Sequence, residues 1–258
     1  MCIRDRITIG KQKSTIRSKI VLNSVNYYLD LLSNIRAIIK VNTSTGVNMG
    51  SKMLTGSLMF FGPILGIIMV FVEPGGMDEA NFAVAAQNAI DNSLRMSIAS
   101  MGFIVAMLAI TIGTAYLARS MQGEQKPGSD LAGLASVLAF LSAAVACVSV
   151  GFEIVILDTG WADKGGDVTN AYASGEAVSR SIFLFMGAAI LLLGIAIIRQ
   201  KNLNQIVGGI AALFGAFMVG GGFLSEIVDI GGLIWFIGFL GWILITIVIG
   251  GITIKQAR

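Results

Sequence analysis

Histidine is absent from the chain. That removes imidazole ligation of haem or zinc, metalloprotease chemistry of the His-Glu-x-x-His kind and any Ser-His dyad. Cysteine is nearly absent: Cys2 and Cys147 are the only two, too few and too far apart for a disulfide framework or a thiolate metal cluster. Charge is scarce as well, at 13% of residues, where a soluble domain carries about 25%. No Gly-x-Ser-x-Gly, phosphate-binding loop or Gly-x-Gly-Asp motif occurs, and no lysine lies inside a long apolar run to hold a Schiff base. The expectation is a protein that is not an enzyme, with no cofactor, no metal site and no nucleic-acid partner.

What is present is hydrophobic: 55% of the 258 residues, with a mean hydropathy of +0.81. A membrane helix needs about 20 mainly apolar residues. Six segments qualify, at 53–72, 96–118, 131–157, 182–198, 206–228 and 233–254. The expected fold is all-α, a polytopic bundle of six transmembrane helices in contact with the lipid bilayer. Lys52, Arg119, Lys126, Arg199, Lys201, Lys255 and Arg258 gather at one set of span ends, against Arg95, Lys164 and Arg180 at the other. By the positive-inside rule both termini are then cytoplasmic and the segments 73–95 and 158–181 face out, in a cell membrane. Within those segments Asp91 with Arg95, and Glu176 with Arg180, are spaced for i,i+4 pairs on a helix. Asp158, Asp163 and Asp167 share a glycine-rich loop whose spacing is not that of a calcium-binding hand, so it reads as a solvated turn.

Composition changes near residue 49. Residues 1–52 hold nine Lys and Arg against Asp5 and Asp30, and residues 7–48 contain a single alanine, Ala37, before a body rich in glycine and alanine. Residues 1–48 read as a basic leader separate from a transmembrane domain over 49–258. One reading is untranslated DNA rendered as protein ahead of a start at Met49, beginning with the adapter-like "MCIRDR". The other is a membrane-surface helix over "VNYYLDLLSNIRAIIK".

Two spans resemble each other. A shift of 73 residues lays Glu153-Ile154-Val155 on Glu226-Ile227-Val228, and lays Ala135, Ala139, Ala143 and Cys147 on Gly208, Ala212, Ala216 and Gly220. Small residues four apart let membrane helices approach closely. The expectation is a parallel internal repeat of helical hairpins with these two stripes as packing faces. Pro63, in the middle of the first span, removes a backbone donor and predicts a kink.

The acids carry the functional reading. Glu153 and Glu226 stand at the ends of otherwise apolar runs, with Glu73 at a similar place after the first span and Asp229 just beyond the fifth. One expectation is an accessory, sensor-like or membrane-complex protein working through an acidic outer face, with a membrane-protein partner or a second copy of itself. In it the acids are interfacial anchors, or pair with Arg95 and Arg180. The alternative is a small transporter or channel in which Glu73, Glu153, Glu226 and Asp229 bind a cation or a proton. Trp235 and Trp242, seven residues apart on one helical face, read as packing or lipid contact.

Overall fold

The structure is a computed structural model and describes residues 52–74, 81–158, 161, 164–224, 227–228, 230 and 231–257. The leader, Glu226 and Asp229 lie outside them. Seven helices are present among the described residues: α1 (Lys52–Val72), α2 (Phe82–Asp91), α3 (Ser93–Ser120), α4 (Ser129–Leu157), α5 (Val168–Gln200), α6 (Gln205–Leu224) and α7 (Gly231–Lys255). All except α2 are long and apolar enough to cross a membrane, and six such helices fit a multi-pass membrane protein.

Each spanning helix packs against the next along the chain, and α7 returns to pack against α1, so the six form a closed ring. Neighbours run antiparallel. One end of the ring, the basic end, carries Lys52, Arg119, Lys126, Arg199, Lys201 and Lys255; the other, the acidic end, carries Glu73, Glu153 and Glu176. At about 1.5 Å per residue, the 33 residues of α5 and 29 of α4 run to about 50 and 43 Å. Both exceed the roughly 30 Å hydrocarbon core and extend past it. The fourth span therefore reaches back beyond the 182–198 of its apolar run, through the segment 168–181. Short α2 sits on these extensions, burying Ala89 with Met96, Ile156 and Ala171.

Side chains are distributed inside out relative to a soluble bundle. Alanine, glycine, methionine, serine and threonine dominate the interior, whereas Phe61, Phe71, Leu94, Ile206 and Leu244 are exposed on the outside. In lipid this order costs nothing, and small interior residues let backbones touch. A Cβ placed on Gly194 would stand 2.5 Å from the backbone nitrogen of Ala212, and one on Gly215 2.5 Å from that of Leu191. The α1–α7 seam is as tight: a Cβ on Gly250 would stand 2.6 Å from the nitrogen of Phe60.

The predicted stripes are only partly the packing faces. Ala135, Ala139 and Ala143 are buried, but Cys147 is exposed. On α6 the inward face is Gly208, Ala211, Gly215 and Met218, while Ala212 is half-buried, Ala216 is exposed and Gly220 has open space beside it. The reason is geometric: steps of four advance the stripe by about 40° each on a helix of 3.6 residues per turn, so it rotates out of a straight seam. The Glu-Ile-Val signature diverges too. Glu153-Ile154-Val155 is helical within α4, whereas α6 ends at Leu224 and Ile227 and Val228 follow in a turn onto the Leu224 carbonyl. Pro63 is buried within α1, which continues through it unbroken.

Candidate ligand-binding cavity

A cavity of about 800 Å³ occupies the acidic half of the ring and is lined by side chains from all seven helices. Three carboxylates face into it: Glu73 just past α1, Glu153 in the last turns of α4 and Glu176 near the start of α5. Glu73 and Glu153 sit at helix C-termini, where the backbone dipole already contributes negative potential. Arg180 belongs to the same lining.

Burial pushes the Glu73 carboxyl up to about 7, and the neighbouring charges of Glu153 and Glu176 add to the rise. Its backbone is held from α3. The Arg95 guanidinium donates to the Val72 carbonyl, and at 3.3 and 3.4 Å to the carbonyls of Phe71 and Glu73, closing the exposed C-terminus of α1. Among the described residues Arg95 thus serves α1 carbonyls rather than a carboxylate. Its expected i,i+4 partner, Asp91, accepts from Gln87 Nε2 at 2.8 Å instead. The chain breaks helix at Asn92, between α2 and α3, so Asp91 and Arg95 do not share one helical face. The Glu176 carboxylate accepts from the Ser179 hydroxyl, at 3.5 Å.

Across the ring from Glu153 the lining is aromatic. Trp235 and Phe239 of α7 stack with centroids 5.4 Å apart, and Phe183 of α5 meets them edge-on at 5.6 and 5.4 Å. Phe82 and Tyr172, 6.1 Å apart, stand near the acidic rim. Beside Glu153 lies Ser100 of α3. It is only 5% exposed, lines the cavity, and its hydroxyl lies beside Glu153 yet has no partner in hydrogen-bond geometry. A buried hydroxyl without a partner is costly and uncommon.

Towards the basic end the ring is filled. Met107, Ile110, Met186, Ile190, Trp242 and Ile249 are all buried in one cluster beneath the cavity. Ser142 ties α4 to α5 through the Ile182 carbonyl at 3.0 Å, and Thr111 and Thr246 bond back within their own helices. Thr114 Oγ1 and Trp242 Nε1 are buried there without partners.

Of the candidate site residues, the cavity brings together Glu73, Glu153 and Arg180; Arg95 acts behind it, and Glu226 and Asp229 lie outside the described residues. Ser100, Phe183 and Phe239 were not singled out by the sequence, Glu176 was read only as a helical partner for Arg180, and Trp235 was read as packing. The usable signal was the spacing of Trp235, Phe239 and Trp242, which lies on one helical face. Among the described residues no three acids or cysteines are grouped closely enough to hold a metal ion. No family model, no curated protein and no solved structure matches the chain.

Proposed function

We propose that the chain is a multi-pass protein of the cell membrane, not an enzyme, that takes a small solute into this cavity from the outer side. It acts as a sensor-like or accessory subunit of a membrane assembly. The observation that supports this reading is the cavity itself: about 800 Å³ is within the range of small-molecule sites. Its lining combines a few charged groups with an apolar wall, as such sites do. The excess of Lys and Arg at the other end supports a cytoplasmic placement of both termini of the 49–258 domain and an outward-facing acidic end. The filled basic half favours reception over passage.

A second reading is a carrier, with the cavity as one of two alternating openings. It is favoured by Thr114 Oγ1 and Trp242 Nε1, two buried polar atoms without partners in the filled half, which a rearranged packing would satisfy.

The test is accessibility. In a chain with Cys2 and Cys147 replaced by serine, Ser181→Cys places a thiol on the cavity lining. A membrane-impermeant methanethiosulfonate should label it from outside intact cells and not from the cytoplasmic face of inverted vesicles. Labelling from the cytoplasmic face alone, or from neither, overturns the proposal. Uptake of a bound solute into proteoliposomes would move the carrier reading to first place.

A further inference from the structure

Resting on the solute-binding reading above, we propose that the cavity is a site for an organic cation with an apolar body. Its charge lies against Glu73 and Glu153, and its body against Phe183, Trp235 and Phe239.

Four observations converge on this class. The first is sign: the lining holds three carboxylates and one guanidinium, and two of the acids stand at helix C-termini, where a positive guest relieves the potential of both carboxylate and dipole. The second is spacing. The acids interact with one another but are not drawn together as ligands around an ion, which suits a charge spread over a larger group. The third is the aromatic wall. In ring order α4 stands opposite α7, so Glu153 and the Trp235–Phe239 stack belong to facing helices. Aromatic faces attract cations, most strongly when water is excluded. The fourth is Ser100, whose buried hydroxyl lies beside Glu153, outside hydrogen-bond geometry with any described residue, and lines the same space. A guest that brings a polar atom to it satisfies that hydroxyl.

A guest of this kind is sensitive to pH through Glu73. The charged groups around that carboxyl are Glu153 from α4, Glu176 and Arg180 from α5, and Arg95 from α3 on the adjoining α1 carbonyls. Protonation of Glu73 below about 7 removes one of the charges that hold the guest.

Benzyltrimethylammonium and its neutral carbon isostere, neopentylbenzene, are the probes. With the purified full chain in nanodiscs, calorimetry and tryptophan fluorescence at pH 8 should show binding of the cation. The isostere should bind at least tenfold more weakly, and the cation should weaken severalfold at pH 5.5. Glu153→Gln should cost at least tenfold in affinity for the cation and little for the isostere; Glu73→Gln should flatten the pH response. Size-exclusion profiles and labelling of Ser181→Cys in each background verify that the variants fold. Equal binding of cation and isostere overturns the inference, as does cation binding that survives both substitutions. If neither probe binds while Ser181→Cys is still labelled from outside, the cation class falls and the solute-binding reading stands. Loss of that labelling in the otherwise intact chain removes the reading itself.

Discussion

Replacing Gly215 by alanine should loosen the α5–α6 crossing, because the added methyl has only backbone to meet. Its Cβ would stand 2.5 Å from Leu191 N, 2.7 Å from Gly187 O and 2.8 Å from Leu191 Cα. Ordinary contact begins near 3.4 Å, so the two helices must part by about 1 Å, and no side-chain rotation can absorb the shift. The same seam carries Gly194 against Gly208 and Ala212, and its contacts weaken together. Overpacking of this kind costs about 1–3 kcal/mol, or roughly 3–10 °C in melting temperature for a domain of this size. Gly209→Ala is the control, since nothing lies within 4 Å of its Cβ position and alanine is the better helix former. Thermal unfolding in nanodiscs, read by tryptophan fluorescence, should place Gly215→Ala well below the parent and Gly209→Ala at or above it. Coincident melting curves for the two variants would refute the packing.

Further outcomes follow from the acidic end and the α4–α5 seam. A Glu73 pKa raised from 4.5 to about 7 means the folded chain keeps a proton that the unfolded chain has lost. Stability should therefore fall as pH rises from about 4.5 to 7, by about 3 kcal/mol, and stay level above; Glu73→Gln should remove that slope and melt higher than the parent at pH 8. Parallel pH profiles for the two proteins would count against it. Arg95→Ala leaves the carbonyls of Phe71, Val72 and Glu73 without their donor and should cost about 1–3 kcal/mol. It should also speed hydrogen exchange in the last turn of α1; unchanged exchange there contradicts the capping role. Ser142→Ala removes the buried bond to the Ile182 carbonyl and should lower stability by about 0.6–1.7 kcal/mol, the range for interhelical bonds in membranes. A melting temperature equal to the parent's would show that bond to be idle.

The number of spanning helices was legible because a membrane span announces itself by length and apolarity, and the six runs match the six long helices to within a few residues at most ends. Two ends departed. α5 begins at Val168 rather than near 182, because the segment between is too polar to count in an apolar run yet rich enough in alanine to continue the helix through Gly175; α6 stops at Leu224, short of the predicted 228. Which face of each helix turns inward was far less legible. In water an apolar stripe marks the core, but in lipid the outer face is as apolar as the inner one, and the informative signal is size instead. Reading small residues every four found Ala135, Ala139 and Ala143 and then lost the seam at Cys147 and Ala216. Glu73 and Glu153 could be picked out as acids among apolar neighbours; Ser100 and Phe183 had no such contrast.

Ring closure explains why these residues meet at all. Five of the six seams join helices that are consecutive spans, so a connecting segment brings each pair together before any packing begins. The α1–α7 seam joins the first and last spans and depends on contact alone. Gly56 and Gly250 bring the two backbones together near the basic end. Towards the acidic end the inward positions of α7 are instead Trp235 and Phe239, side chains that do not permit such an approach. The same helix that seals the ring at one end thus holds it apart at the other. Across the ring from its aromatic face stands Glu153 of α4, and Glu73 ends the adjoining α1, so the space left by large residues in an otherwise small-residue interior is also where the charge collects. Besides alanine and methionine, the space is lined by acids, aromatic rings and the buried Ser100 hydroxyl, which is the composition of a place kept for a guest.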